Sequence, residues 1–147
     1  MNEIISLKQK RHQKQLKYER KMLKELSLVE IQAKIEDCFG SFINKRKIKD
    51  TSTEDGCVDF AIEAFLLGAK YSKFGYYGES MQSANRRCRY EEKQLIDDLY
   101  DYFVHWGEFG SQEMLLESIY YACEYYVQSW WKAGFIKGEK RYKLRLH

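Results

Sequence analysis

The chain has 147 residues, of which 44% are hydrophobic and 32% charged, enough for one domain with its own core and inconsistent with a disordered chain. No run approaches the roughly 18 apolar residues of a membrane span. The net charge is only +3, but residues 1–50 carry 13 Lys/Arg against 7 Asp/Glu, residues 51–136 carry 7 against 14, and residues 137–147 carry 5 against 1, so basic ends flank an acidic middle.

The first predicted helix covers about residues 4–25 and is charged nearly all round. It makes residues 1–26 a basic segment that either protrudes or packs on a partner. Its candidate contacts to nucleic acid are Lys10, Arg11, Lys14, Lys17 and Lys21. Ser27 and Glu30 have the spacing of a capping box, which predicts a second helix over about residues 28–43. A continuous helix through Ser27 is the alternative.

Three more helices are predicted, over about residues 54–73, 80–106 and 112–137. Gly107–Gly110 separates the last two. Apolar and aromatic residues surround the final helix on nearly every side, which places it either at the centre of a bundle or against a second subunit. The candidate residues for that partner interface are Tyr121, Tyr125, Trp131 and Phe135.

The same small motif occurs twice, as Phe65-x-x-Gly68 and Trp131-x-x-Gly134. Each places a large ring one turn before a glycine, a pattern that favours close packing of two helices. We therefore expect residues 1–147 to form one all-α domain, a four- or five-helix bundle with mainly antiparallel neighbours.

The segment FGYYGES, Phe74–Ser80, links the third and fourth predicted helices. Gly75 suits a left-handed position after a helix, and Glu79 or Ser80 can begin the next one. The favoured interpretation is an interhelical turn fastened by aromatic rings, and the alternative is a ligand pocket. The candidate ligand-binding residues are Asp59, Tyr76, Tyr77, Gly78, Glu79 and Ser80.

The sequence contains no complete catalytic or metal site. Asp101 and His105 are four residues apart, but the chain has three histidines and no Glu-x-x-His motif. Its four cysteines include no C-x-x-C pair, and Cys88 and Cys123 fall on predicted buried helix faces, which favours inert thiols. We predict no catalytic residue, no metal and no cofactor. The N-terminus lacks an apolar signal core, so we expect a cytoplasmic protein with reduced cysteines.

The stretch CVDFAIEAFLLGAKYSKFGYYGESMQS (Cys57–Ser83) resembles a small family of uncharacterised proteins from spore-forming Gram-positive bacteria that includes Bacillus YbaK, which is not the tRNA-editing enzyme of that name. LKELSL (Leu23–Leu28) and WWKAGF (Trp130–Phe135) extend the resemblance over most of the chain. It implies a cytosolic bacterial protein and supplies no catalytic residues.

The leading functional hypothesis is a non-enzymatic interaction or regulatory protein, whose partner is another protein or a second copy of the chain. The alternative is nucleic-acid or anion binding through the basic ends, including Lys45–Lys49 and Lys137–Arg145. A small enzyme with a pocket near residues 74–80 is the third hypothesis. No membrane partner is predicted.

Overall fold

The computed structural model describes residues 6–44, 50–106 and 113–144, and these ranges form six α-helices without a strand. The helices are α1 (Leu7–Leu23), α2 (Leu28–Asn44), α3 (Asp50–Tyr76), α4 (Met81–Arg87), α5 (Arg89–Trp106) and α6 (Glu113–Lys143). The predicted all-α class is confirmed. None of the helices in these ranges combines the length and apolar character that a membrane span requires. The basic group at 45–49, the break at 107–110 and Arg145 lie outside the described residues.

The helix predicted over residues 80–106 is divided in two at Cys88. This residue leaves helical geometry, with φ −115° and ψ 23°, and its backbone N–H turns back to the carbonyls of Asn85 and Arg86. Its side chain is buried, and the indole Nε1–H of Trp131 donates to its sulfur at 3.2 Å. No glycine or proline marks the division in the sequence, because packing against α6 sets it.

The helices α3 and α6 form the central pair and run parallel. The hydroxyl of Tyr126 donates to the carbonyl of Cys57 at 2.7 Å, and Gly138 lies against Ser72 further along, so residue numbers rise together on both helices. The helix α5 is antiparallel to α3, since Tyr71 near the end of α3 bonds to Glu91 near the start of α5, and Gly56 near the start of α3 lies against Tyr102 near the end of α5. The prediction of antiparallel neighbours therefore holds for α5 but not for α3 and α6, because α4 and α5 return the chain between them.

Two glycines bring the backbones of α3 and α6 into contact. A Cβ on Gly68 would collide with the backbone carbonyl of Trp131, and a Cβ on Gly134 would collide with that of Phe65. The two ring-x-x-glycine motifs therefore face each other across a single crossing. This arrangement is the close helix packing through small residues that the sequence predicts.

A second, smaller core cluster forms between α4, the C-terminal half of α6 and the end of α3. Trp131 and Phe135 are each 2% exposed, and their rings stack with centroids 5.2 Å apart. Ala84 and Cys88 complete the buried part of this cluster. The prediction that Trp131 and Phe135 belong to a partner interface is therefore wrong, because both rings are buried within one chain.

The basic helix α1 is docked on the central pair through a short apolar stripe. Met22 is fully buried, and the buried hydroxyl of Tyr18 donates to the carbonyl of Ala69 in α3 at 3.1 Å. Ser6 and Gln9 form a capping box at the start of the helix. Most of the remaining side chains of α1 are exposed, so the helix presents its charged face to solvent.

Candidate functional site

The turn after α3 is built around Gly78, whose φ is +107°. The N–H of Gly78 bonds to the carbonyl of Gly75 at 3.1 Å, and the N–H of Glu79 bonds to that of Phe74 at 2.9 Å, which is a Schellman motif. The prediction that Gly75 takes the left-handed position is wrong by three residues. Gly75 lies inside α3, where a Cβ would meet the side chains of Phe135 and Glu139.

The polar side chains of this turn form hydrogen bonds with residues of α4. The Ser80 hydroxyl accepts from the backbone N–H of Ser83 at 3.0 Å, as a helix N-cap. The Glu79 carboxylate accepts three bonds from Arg87, the shortest at 2.7 Å, and these bonds hold the pKa of Glu79 below its usual range. The Arg87 guanidinium also lies 4.1 Å from the ring centroid of Phe74. These residues fix the turn, so Glu79 and Ser80 are engaged within the chain.

Asp59 lies too far from the tyrosines of the turn to line the predicted ligand pocket together with them. Asp59 and Tyr76 are both in α3, 17 residues apart, which at about 1.5 Å per residue separates them by about 25 Å along the helix axis. The loop candidates therefore reduce to the two tyrosines, Tyr76 and Tyr77, which are 43% and 75% exposed.

A concavity of about 270 Å³ lies along α1 where Tyr142 of α6 approaches it, and we call it the basic cleft. Its lining residues are Arg11, Lys14, Gln15, Lys17, Tyr18, Lys21 and Tyr142. These seven described side chains carry four cations and no carboxylate. Lys10 is exposed one helical turn before Lys14, on the same stripe, and extends the charge toward the start of α1.

The tyrosines after α3 are connected to the basic cleft through Tyr142. The ring of Tyr142 lies 6.0 Å from that of Tyr18 in the cleft and stacks on Tyr76 at 5.8 Å, with an interplanar angle of 23°. Tyr77 packs on Tyr76 with centroids 5.4 Å apart. The structure thus brings together two groups that the sequence analysis treated separately, the basic face of α1 and the tyrosines of the turn.

Burial raises the pKa of both tyrosines that line the basic cleft, Tyr18 and Tyr142. Their hydroxyls therefore stay neutral at physiological pH and add no negative charge to the four cations. Beside the cleft, Arg141 pairs with Glu25 at 3.2 Å, which ties the last turns of α6 to the connection between α1 and α2. The geometry is that of a cationic groove with an aromatic end.

No described carboxylate of the acidic middle forms an ion pair with a cation of the basic cleft. Within the described residues the ion pairs are Arg87–Glu79, Lys93–Asp97, Arg141–Glu25 and Lys143–Glu139. None of them uses a cation of the basic cleft. Three of these cations, Arg11, Lys14 and Lys17, are exposed, and Lys21 is partly exposed.

The other two predicted interface residues, Tyr121 and Tyr125, are exposed on α6 by 57% and 55%. They lie about one helical turn apart on the side of the bundle formed by α2 and α6, where Lys34 sits 5.5 Å from the Tyr125 ring centroid. Met114 extends the same face toward the start of α6. This surface is separate from Trp131 and Phe135.

The thiols offer no activated nucleophile. Burial raises the pKa of Cys38 and Cys88 to about 11 and that of Cys57 to about 12, and it raises the pKa of Cys123 as well. A raised thiol pKa leaves little of the reactive thiolate at neutral pH. Among the described residues, no three His, Cys, Asp or Glu side chains group in a way that could hold a metal ion.

Sequence reasoning missed Tyr18 and Tyr142 as cleft residues. Tyr18 and Met22 are four residues apart in a mostly polar helix, so this i, i+4 pair was the available signal for docking of α1. Tyr142 had no comparable signal, because its place beside α1 depends on α6 continuing as a helix to Lys143.

Comparison with known proteins gives a family without an assigned activity. A family model described as a protein of unknown function, DUF2521, matches residues 1–147. The "Uncharacterized protein YbaK" of Bacillus subtilis (strain 168) is 40% identical over 147 residues, which is 99% of each chain. No solved structure matches. With both matches spanning the whole chain, this protein belongs to the DUF2521 family.

Proposed function

We propose that this protein is a non-enzymatic binding protein and that its partner is nucleic acid, held by its phosphates in the basic cleft. The observation that carries the proposal is the convergence of four cations on one concavity with no carboxylate among its described lining residues. Phosphate contacts from Lys and Arg supply most of the sequence-independent affinity for nucleic acid.

The length of the basic stripe suits an extended polyanion better than a single phosphate. From Lys10 to Lys21 the helix α1 advances by about 16 Å at about 1.5 Å per residue. That length corresponds to about five nucleotides of one strand at about 3.4 Å per nucleotide. A small phosphorylated ligand would need only one part of this stripe.

The docking of α1 supports a fixed binding surface. Tyr18 and Met22 anchor the helix on α3, and the Arg141–Glu25 pair holds its C-terminal end to α6. A docked helix presents its lysines in a defined register and so loses less conformational entropy on binding than a free tail would.

The test compares two double variants with the same change in net charge. Lys14→Glu/Lys17→Glu reverses two cations of the cleft, whereas Arg86→Glu/Lys132→Glu reverses two exposed cations elsewhere. Binding of a labelled oligonucleotide of about 20 nucleotides is followed by fluorescence anisotropy at about 50 mM salt. We expect the cleft variant to bind at least about tenfold more weakly and the control variant to lose much less, because only the first removes direct phosphate contacts.

Two results would refute the proposal. One is the absence of binding by the wild-type protein at this low salt concentration. The other is an equal loss in both variants, which would mean that net charge, rather than the cleft, attracts the oligonucleotide. Circular dichroism of each variant checks that the helices are retained.

A second candidate function is self-association through the exposed face of α6. It is favoured by Tyr121 and Tyr125, two large aromatic side chains exposed side by side. Light scattering at low and high salt tests it, with Tyr121→Lys/Tyr125→Lys as the variant. A salt-insensitive dimer that this variant converts to a monomer would support it, and a wild-type monomer would exclude it.

A further inference from the structure

The tyrosines beside the basic cleft place exposed aromatic surface next to its cations. We infer that the cleft takes a single-stranded nucleic acid and that a base stacks on Tyr77. This inference rests on the proposed function and adds to it the class of nucleic acid and the residue that selects it.

The turn after α3 does not need Tyr77 for its own stability. Gly78 makes the reversal, and Phe74 anchors it by packing against the cluster of Trp131 and Phe135. Tyr77 is 75% exposed, so its ring contributes little burial to the fold. An exposed ring at a structured turn is available for a ligand.

The position of Tyr77 relates it to the cleft rather than to a separate surface. Tyr142 lines the cleft and stacks on Tyr76, and Tyr76 in turn contacts Tyr77. These three rings therefore form a continuous aromatic surface from the cations of the cleft to Tyr77. A strand whose phosphates follow α1 would bring its bases to the end of α3. Charged grooves with adjacent aromatic side chains are the recurring arrangement for single strands.

The aromatic end of the site discriminates between single strands and duplexes. In a duplex the base faces are stacked on one another and a surface tyrosine cannot reach them without unstacking the pair. A single strand presents free faces, and stacking on an aromatic side chain is tolerant of sequence because every base has such a face. Phosphate contacts alone would give no such preference.

The experiment compares Tyr77→Ala and Tyr77→Phe with Tyr90→Ala. Tyr90 is a matched control, since it is 88% exposed on α5 and does not line the basic cleft. The probes are a labelled single strand of about 20 nucleotides and the duplex of the same sequence, both titrated by anisotropy. We expect Tyr77→Ala to weaken single-strand binding by about 5- to 100-fold and to leave duplex binding unchanged. Tyr77→Phe should retain wild-type binding, as should Tyr90→Ala.

Photocrosslinking gives an independent readout. A single strand containing 5-iodouracil should crosslink to Tyr77, identified by mass spectrometry of the digested complex. A crosslink confined to other residues, together with unchanged single-strand binding by Tyr77→Ala, would overturn the inference.

Failure of this inference is distinguishable from failure of the proposed function. If Lys14→Glu/Lys17→Glu weakens binding but single strands and duplexes bind equally to wild type and to Tyr77→Ala, the stacking inference is wrong and the phosphate-binding function stands. If neither nucleic acid binds, while vesicles containing anionic lipid bind in a manner that the same charge reversal abolishes, both are wrong and the cleft faces a membrane surface.

Discussion

The crossing of α3 and α6 at two glycines makes a stability prediction that can be worked through from distances. In Gly134→Ala the added Cβ would lie 2.7 Å from the carbonyl carbon of Phe65, and that atom belongs to the backbone of α3. The carbonyl oxygen of Phe65 would lie closer still, so restoring ordinary contacts of about 3.4 Å requires the helices to separate by more than about 0.7 Å, and gaps of this size forfeit about a quarter to a half of each contact's attraction.

The net magnitude follows from two opposing effects. Overpacking of a core costs about 1–3 kcal/mol, and the upper end applies because a backbone carbonyl cannot rotate away. Replacing glycine by alanine inside a helix returns about 1 kcal/mol of helix propensity. We therefore expect Gly134→Ala to lower the free energy of unfolding by about 2 kcal/mol, which for a chain of this length lowers Tm by about 4–8 °C.

Urea unfolding followed by tryptophan fluorescence measures this difference, and Gly40→Ala is the matched control. Gly40 also lies inside a helix, but its added Cβ would meet only the carboxylate of Glu36, a flexible and exposed side chain that can move. We expect Gly40→Ala to be neutral or stabilising by up to about 1 kcal/mol. The double variant Gly68→Ala/Gly134→Ala should cost less than the sum of the single variants, because one separation of the helices relieves both collisions.

Equal stability of Gly134→Ala and Gly40→Ala would refute this reasoning. It would mean that α3 and α6 do not approach at these glycines, and that the parallel arrangement of the central pair needs another explanation.

Further predictions concern the buried polar groups and the docking of α1. Burial raises the pKa of Glu92 in the folded protein, so ionisation of this carboxyl group destabilises the fold once the pH exceeds the pKa that Glu92 has in the unfolded chain. Glu92→Gln should therefore raise the urea midpoint at pH 7. The gain should disappear in acid, where the side chain at position 92 is neutral in both the wild type and the variant. The thiols of Cys57 and Cys88, with pKa values raised to about 12 and about 11, should resist iodoacetamide at neutral pH in the folded protein and react once urea unfolds it; rapid labelling before unfolding would contradict their burial. Tyr18→Ala should undock α1 and increase hydrogen exchange along Leu7–Leu23 while α3 stays protected; unchanged exchange in α1 would show that Tyr18 is not its anchor.

The helices were predictable because each carries a clear periodic pattern or end signal. The start of α2 at Leu28 and the N-cap at Ser80 follow from short polar residues before apolar runs. The contact between the two ring-x-x-glycine motifs was also predictable, since a glycine in a helix interior costs stability unless another backbone approaches it.

Three features of the structure depend on tertiary packing and could not be predicted from local sequence patterns. A helical wheel of α6 shows aromatic residues on most sides but does not say which side meets a neighbouring helix. The sequence therefore predicts Trp131 and Phe135 at a partner interface, whereas the structure buries them in a cluster with Ala84 of α4. The same limit applies to Cys88, where the helix divides without a glycine or proline. The joining of α1 to Tyr76 depends on Tyr142, more than 60 residues later in the chain, and no local pattern encodes that contact.

The central claim is that the basic cleft binds nucleic acid through its phosphates, and the salt dependence of the affinity tests it most directly. Four phosphate contacts to a single strand predict a slope of about −3 in a plot of log K against log salt concentration, or about a 50-fold loss of affinity between about 50 and 200 mM salt. In Lys14→Glu/Lys17→Glu the slope should be shallower by more than 1. A slope near zero, or one that the cleft substitutions leave unchanged, would contradict the assignment of the phosphate contacts to this cleft.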